Sequence, residues 1–220
     1  MRYPDAFIGV KRIYTAQILM IIGSIALVIG AIIAIAGTGV NSTGTLAGGG
    51  ILALAAIIAV LVGFIMEIIG INTARRDEEA FKNALIWVVV GIVLSVLSGS
   101  LQNNNSNLSN LFEAAGTATQ LLTTYYIIMG VRNLAVKMDN MEVVAKSDTT
   151  MKVVLAVYIV QIILGIVGIV IGIAAPEKDG ALMAAAGSIG ILGAITGILG
   201  IIAFILLLSL LSKAKDMLME

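Results

Sequence analysis

Residues 61–82 read LVGFIMEIIGINTARRDEEAFK. The first half is apolar, and the second is a cluster of charges from Arg75 to Lys82. One carboxylate, Glu67, sits inside the apolar half. A stretch of this kind marks a boundary between two solvents. In hydrocarbon the backbone must satisfy its own hydrogen bonds, which a helix does, and basic residues collect where the helix meets water.

Working outward, the same alternation runs through all 220 residues. Sixty per cent are hydrophobic and 12% charged, with mean hydropathy +1.09. A soluble domain carries about a quarter of charged residues. Here the charges fall in separate clusters, and the apolar runs between them approach or exceed the ~20 residues that cross ~30 Å of hydrocarbon. None alternates polar and apolar as a barrel strand would. The fold class is therefore all-α, a polytopic integral membrane protein forming a single membrane domain. Six spans are predicted, as three helical hairpins: Ile13–Ala36, Leu46–Ile71, Ala84–Leu101, Leu108–Val131, Val153–Ala175 and Ala181–Leu211. Ala34-Ile35-Ala36 has the form of a cleavage site, but the preceding run exceeds the ~7–15 apolar residues of a secretory signal. It reads as a retained first transmembrane helix.

The connections sort by charge. Arg2, Lys11, Arg12, Arg75, Arg76, Lys82, Arg132, Lys137, Lys146, Lys152, Lys213 and Lys215 fall on one side, 12 of the 13 basic residues, and only Lys178 on the other. The positive-inside rule then places both termini in the cytoplasm, and six spans satisfy that parity. The cell membrane is the expected location. GTGVNSTG (37–44) and QNNNSNLSN (102–110) carry no charge and read as turn-rich outer loops. The sequons at Asn41, Asn104 and Asn107 within them read as chance matches. In KMDNMEVVAKSDTTMK, Met138, Met141 and Val144 have helical spacing and predict a short amphipathic surface helix. Ser147 or Asp148 is then expected to cap the fifth span. Pro176 is expected to end that span and Asp179 to cap the sixth.

Two comparisons point to an internal repeat. Tyr14-Thr-Ala-Gln17-Ile matches Tyr158-Ile-Val-Gln161-Ile, and Gly50-Ile-Leu matches Gly190-Ile-Leu. The second register also pairs Phe64-Ile65 with Phe204-Ile205, and Ala74 with Ala214. Glu67 falls opposite Leu207. Asn133-Leu-Ala-Val-Lys137 echoes Asn72-Thr-Ala-Arg-Arg76.

Small residues recur four apart at Ala26/Gly30/Ala34, Ala59/Gly63, Gly91/Ser95/Gly99, Ala114/Ala118, Gly168/Gly172 and Gly193/Gly197. Such faces let helix backbones approach closely in lipid. In the fourth span Glu113, Thr117, Gln120 and Thr124 fall at i, i+4, i+7 and i+11, one polar stripe expected to face the bundle or a cavity. Glu67 lies eight residues before Arg75, roughly 12 Å deeper along a helix. Its in-helix neighbours carry no base, so a partner on another helix is expected. Tyr14, Gln17, Tyr158 and Gln161 share its depth, and Arg12, Lys82 or Lys152 could reach in from the surface.

The chemistry is bounded by what is missing. The chain has no cysteine and no histidine, which removes disulfides, thiolate and imidazole metal sites and the usual general base. A formal net charge of zero points to no nucleic-acid partner. No cofactor and no catalytic activity are expected. The first functional expectation is a noncatalytic subunit or scaffold of a membrane assembly. Its partners would be the bilayer and other membrane subunits or further copies. The alternative is a small transporter or channel for an uncharged or amphipathic solute.

Overall fold

The computed structural model describes residues 2–39, 43–101, 106–174 and 179–219, without the side-chain surroundings at 37–47, 102–107, 110, 168–169 and 171–198. Among these residues the chain is all-helical, with six helices. They are α1 (Pro4–Gly39), α2 (Thr43–Ala74), α3 (Ala80–Leu101), α4 (Ser106–Lys137), α5 (Met141–Ala174) and α6 (Asp179–Met219). Among the described residues four helices are long and apolar enough to cross a membrane: Pro4–Ala36, Gly48–Ala74, Ala80–Leu101 and Met141–Val167. Their apolar side chains point outward. Ile35 is 71% exposed, Ile51 69% and Val96 64%. An aqueous protein could not present so much contiguous apolar surface.

The helices outrun the predicted spans, and three expectations need correction. Residues 37–39 and 43–44 are helical, so the first connection is shorter than GTGVNSTG suggests. The predicted surface helix is instead the first turns of α5. Asp139 has φ 56° and ends α4, with Asn140 N–H donating to Ala135 O (2.9 Å) and Asp139 N–H to Val136 O (3.1 Å). These two bonds form the left-handed reversal that closes many helices. Asn140 Oδ1 then accepts from Val143 N–H at 3.1 Å and caps α5. Ser147 and Asp148 lie inside that helix, and Ser147 Oγ donates back to Val143 O at 2.8 Å. Pro176, Ala175, Asn41 and Asn104 lie outside the described residues, as do the side chains of Asn107 and Asp179.

The chain divides into two compact units, Met1–Asp77 with the last three residues, and Glu78–Met217. In the first, α1 and α2 pack antiparallel. Gly9, Ala16, Gly23 and Gly30 recur every seven residues on α1, and Gly49, Ala56, Gly63 and Gly70 do so on α2. All eight are buried. A Cβ on Gly9 would fall 2.6 Å from Gly70 O, and one on Gly49 would fall 2.6 Å from Ala34 N. The backbones therefore touch along about 30 Å of helix. A seven-residue repeat keeps the seam facing its partner when the pair winds left-handed. The sequence pattern of small residues four apart pointed to close backbone approach, and this seam shows it. Gly30, Ala34 and Gly63 do lie on the seam, but the seven-residue spacing governs it. The open end of the hairpin is tied by polar groups. Pro4 is the first residue of α1, Ala6 N–H donates to Asp77 Oδ2 at 2.7 Å, and Asp5 lies 3.8 Å from Arg76.

In the second unit α3 packs on α4, and α4 on α5. The α3–α4 seam is filled by side chains. The Phe81 ring lies against Gly130, where a Cβ would come within 2.7 Å of Cε2. Thr119 Oγ1 occupies the space beside Gly91. Nearer the connection Ser98 Oγ donates to Ser109 O (3.1 Å) and Ser109 Oγ to Ser98 O (3.0 Å). At the other end Glu78 accepts from Asn133 Nδ2 (2.9 Å) and Lys137 Nζ (2.6 Å). Arg132 Nε donates to Asp148 Oδ1 at 2.7 Å and links α4 to α5. Lys146 to Ser209 and Lys213 to Glu142 link α5 to α6.

Candidate functional site

Glu67 lies in the α1–α2 seam, in the row Ala53, Val60, Glu67, Ala74 that alternates with Gly49, Ala56, Gly63 and Gly70. Its surroundings follow from the seam. Small residues at Ala16, Gly63 and Gly70 bring the two backbones together, so a side chain at position 67 meets α1. Gln17 Nε2 donates to Glu67 Oε1 at 3.0 Å. The pair is partly buried. Among the described residues Glu67 forms no salt bridge. Of the bases that could have reached in, Arg12 Nη1 donates to Thr73 Oγ1 at 3.2 Å instead, and Lys82 and Lys152 are exposed. The expected partner on another helix is thus an amide.

Of the four groups grouped with Glu67 by depth, Gln17 meets it and Tyr14 lies half-buried one turn before Gln17. Tyr158 and Gln161 belong to α5, in the other unit. Gln161 points toward α6, its Nε2 3.8 Å from where a Cβ on Gly200 would stand.

The polar stripe of α4 is open in part. Glu113 and Gln120 are exposed, and Thr117 and Thr124 are half-buried. Thr117 Oγ1 donates to Glu113 O at 3.2 Å, which satisfies the hydroxyl within the helix. The polar groups buried on α4 are different ones: Ser109, Thr119 and Thr123. Ser98, Ser109 and the Glu78–Asn133–Lys137 cluster went unnoticed in the sequence. The partners in that cluster are separated by 55 and 59 residues, and no periodicity marks them. The packing glycines Gly168, Gly172, Gly193 and Gly197 lie in α5 and α6, with surroundings outside the described residues.

Glu78 is 8% exposed. Burial alone would raise its carboxyl. Hydrogen bonds from Lys137 and Asn133, the Lys137 charge and the Ala80 N–H together outweigh burial, and its pKa lies below the ordinary carboxylate value. Among the described residues no group of three or more carboxylates is placed to hold a metal ion. Chemically, then, the described side chains offer hydrogen bonding and helix-to-helix contact. Comparison of the chain with protein-family models, curated proteins and solved structures returned no match.

Proposed function

We propose that this chain is a noncatalytic subunit or scaffold of a membrane assembly, crossing the cell membrane six times with both termini in the cytoplasm. The observation that carries the reading is the pair of exposed polar residues in the stripe on α4. Glu113 and Gln120 are exposed in the single chain. In hydrocarbon a polar side chain facing lipid is costly, and a neighbouring helix that accepts and donates hydrogen bonds removes the cost. The closed α1–α2 seam fits the same reading, because a rigid hairpin without a gap suits a scaffold better than a moving gate. Charge placement supports the topology, with 12 of 13 basic residues on one side.

An internal duplication is part of the proposal. In the register that pairs Gly50 with Gly190, Gly63/Ala203, Gly70/Leu210, Ile71/Leu211 and Ala74/Ala214 are all buried pairs. Gln17 and Gln161, matched in sequence, each face the following helix.

The test is native mass spectrometry of the assembly extracted gently from its own membrane. It is paired with cysteines introduced at Thr117, Gln120 and Thr124 in this cysteine-free chain. A stoichiometric second protein that protects these cysteines from water-soluble thiol reagents is the expected result. Free labelling of all three in an assembly of this chain alone would replace the proposal with the alternative, a path for an uncharged or amphipathic solute along α4.

A further inference from the structure

One flank of the α1–α2 hairpin carries two cross-links, to Thr73 in the last turn of α2 and to Arg76 in the turn that follows it. Asp5 Oδ1 lies 3.8 Å from Arg76 Nη1, and Arg12 Nη1 donates to Thr73 Oγ1 at 3.2 Å. The Thr73 hydroxyl donates onward to Ile69 O at 2.8 Å, so it is oriented to accept from Arg12. Both guanidinium groups reach solvent, and Arg76 is 69% exposed. A guanidinium has five N–H donors, and the Thr73 bond uses one of those on Arg12.

The carboxylates of this hairpin are otherwise engaged. Asp5 faces Arg76, Asp77 caps α1 and Glu67 holds Gln17. Arg12 makes no ion pair among the described residues, nor do Lys11 and Arg75. The flank also lies where the chain turns apolar: Ile13 follows Arg12, and Ile71 precedes Thr73 by two residues. On the apolar side of Thr73, on the same face of α2, Ile69 and Ile65 are exposed.

We infer that this flank holds the headgroup of an anionic phospholipid of the cytoplasmic leaflet. The phosphate oxygens accept from Arg12 and Arg76, and an acyl chain lies along Ile69 and Ile65. A planar guanidinium matches two phosphate oxygens at once, which an ammonium does not. Free phosphate would use the same donors but leave the isoleucines uncovered. The cytoplasmic leaflet of a cell membrane supplies the matching negative charge. The inference rests on the membrane reading proposed above.

The experiment places the full chain in nanodiscs of equal phosphatidylglycerol and phosphatidylcholine and counts the lipids retained in native mass spectrometry. Wild type should keep phosphatidylglycerol over phosphatidylcholine by about fivefold per guanidinium. Arg12→Gln and Arg76→Gln should each remove that factor, and Arg12→Lys should restore only part of it. Lys152→Gln, a surface cation on α5, should leave retention unchanged, as should excess inorganic phosphate. Equal retention of both lipids by wild type would overturn the site and leave the membrane reading standing. So would an equal loss in Lys152→Gln, or displacement by phosphate alone. A chain that stays monodisperse in buffer without lipid or detergent would overturn the membrane reading itself.

Discussion

Gly9 and Gly70 meet backbone to backbone at the open end of the α1–α2 hairpin, whereas at the open end of α3–α4 the Phe81 ring lies on Gly130. The first hairpin is held by what its side chains leave out. Along its apolar length Gln17 donates to Glu67 across the seam. The second is held by what its side chains put in: an aromatic ring, Thr119, the reciprocal pair Ser98–Ser109 and the Glu78 cluster. Dispersion between close backbones has no directional preference along a seven-residue repeat, while hydrogen bonds and rings select one alignment. The Gln17–Glu67 pair therefore favours one register of the glycine seam along its apolar length.

The largest difference should come from adding a methyl group to each seam. In Gly9→Ala or Gly49→Ala the new carbon meets backbone atoms 2.6 Å away, and the helices must part. We expect a loss of about 3 kcal/mol, at the upper end of overpacking. In Gly91→Ala the nearest atom is the Thr119 hydroxyl, a side-chain atom that can yield only by weakening its bond to Gly116 O, and the loss should be about 1 kcal/mol. Thermal unfolding in a common detergent measures both, and equal losses would break the comparison.

Next is the Glu78 cluster. Glu78→Ala should cost about 2 kcal/mol by leaving Asn133 and Lys137 without their acceptor, moderated because Lys137 is half exposed. The folded carboxyl has a lowered pKa, so the unfolded chain binds more protons below the ordinary carboxylate value. The stabilisation is full above that value and is lost as pH falls through the depressed folded pKa. Acid should loosen α3 from α4, and Glu78→Gln should flatten that dependence. A variant with unchanged acid sensitivity would remove Glu78 from the account.

The Gln17–Glu67 pair is smaller, about 1 kcal/mol for an interhelical hydrogen bond in lipid. Glu67→Gln keeps a partner for Gln17 and should leave the hairpin intact. Glu67→Leu should admit more than one register, read as a broadened distance between spin labels at the exposed Ile25 and Ile57. A single sharp distance in that variant would return register control to the glycines. Smallest is Asp139→Gly, which should stabilise by roughly 0.5–1 kcal/mol by removing a side chain from a left-handed position. A loss of stability there would argue against the reversal.

The six helices were legible because an apolar run between charge clusters has few alternatives. The start of α5 was not. Lys146, Ser147 and Asp148 read as an interruption, but a helix tolerates charge at a wet end, and the break falls at Asp139 and Asn140 instead. The glycines were legible as packing residues, yet the repeat that orders them appears only when Gly9 is counted with Gly23 and Gly30. Gly9 lies before the predicted first span, which hid it. Gln17 was among the readable partners of Glu67, since depth follows from residue count. Choosing it over Tyr158 and Gln161 required the α1–α2 register. The Asn133 partner of Glu78 left no local pattern to read.

Asp77 and Glu78 are neighbours in the chain, with side chains committed to different tasks. Asp77 caps the start of α1, and Glu78 receives Asn133 and Lys137 from the end of α4. The first of the two places where the chain passes between the compact units is the peptide bond joining these two residues. A chain split at that bond would leave both anchors whole, each on the piece that uses it. Expressed from two reading frames, the first hairpin would keep its cap and the remainder its ion pair, so the bond between residues 77 and 78 is a natural joint for a split protein.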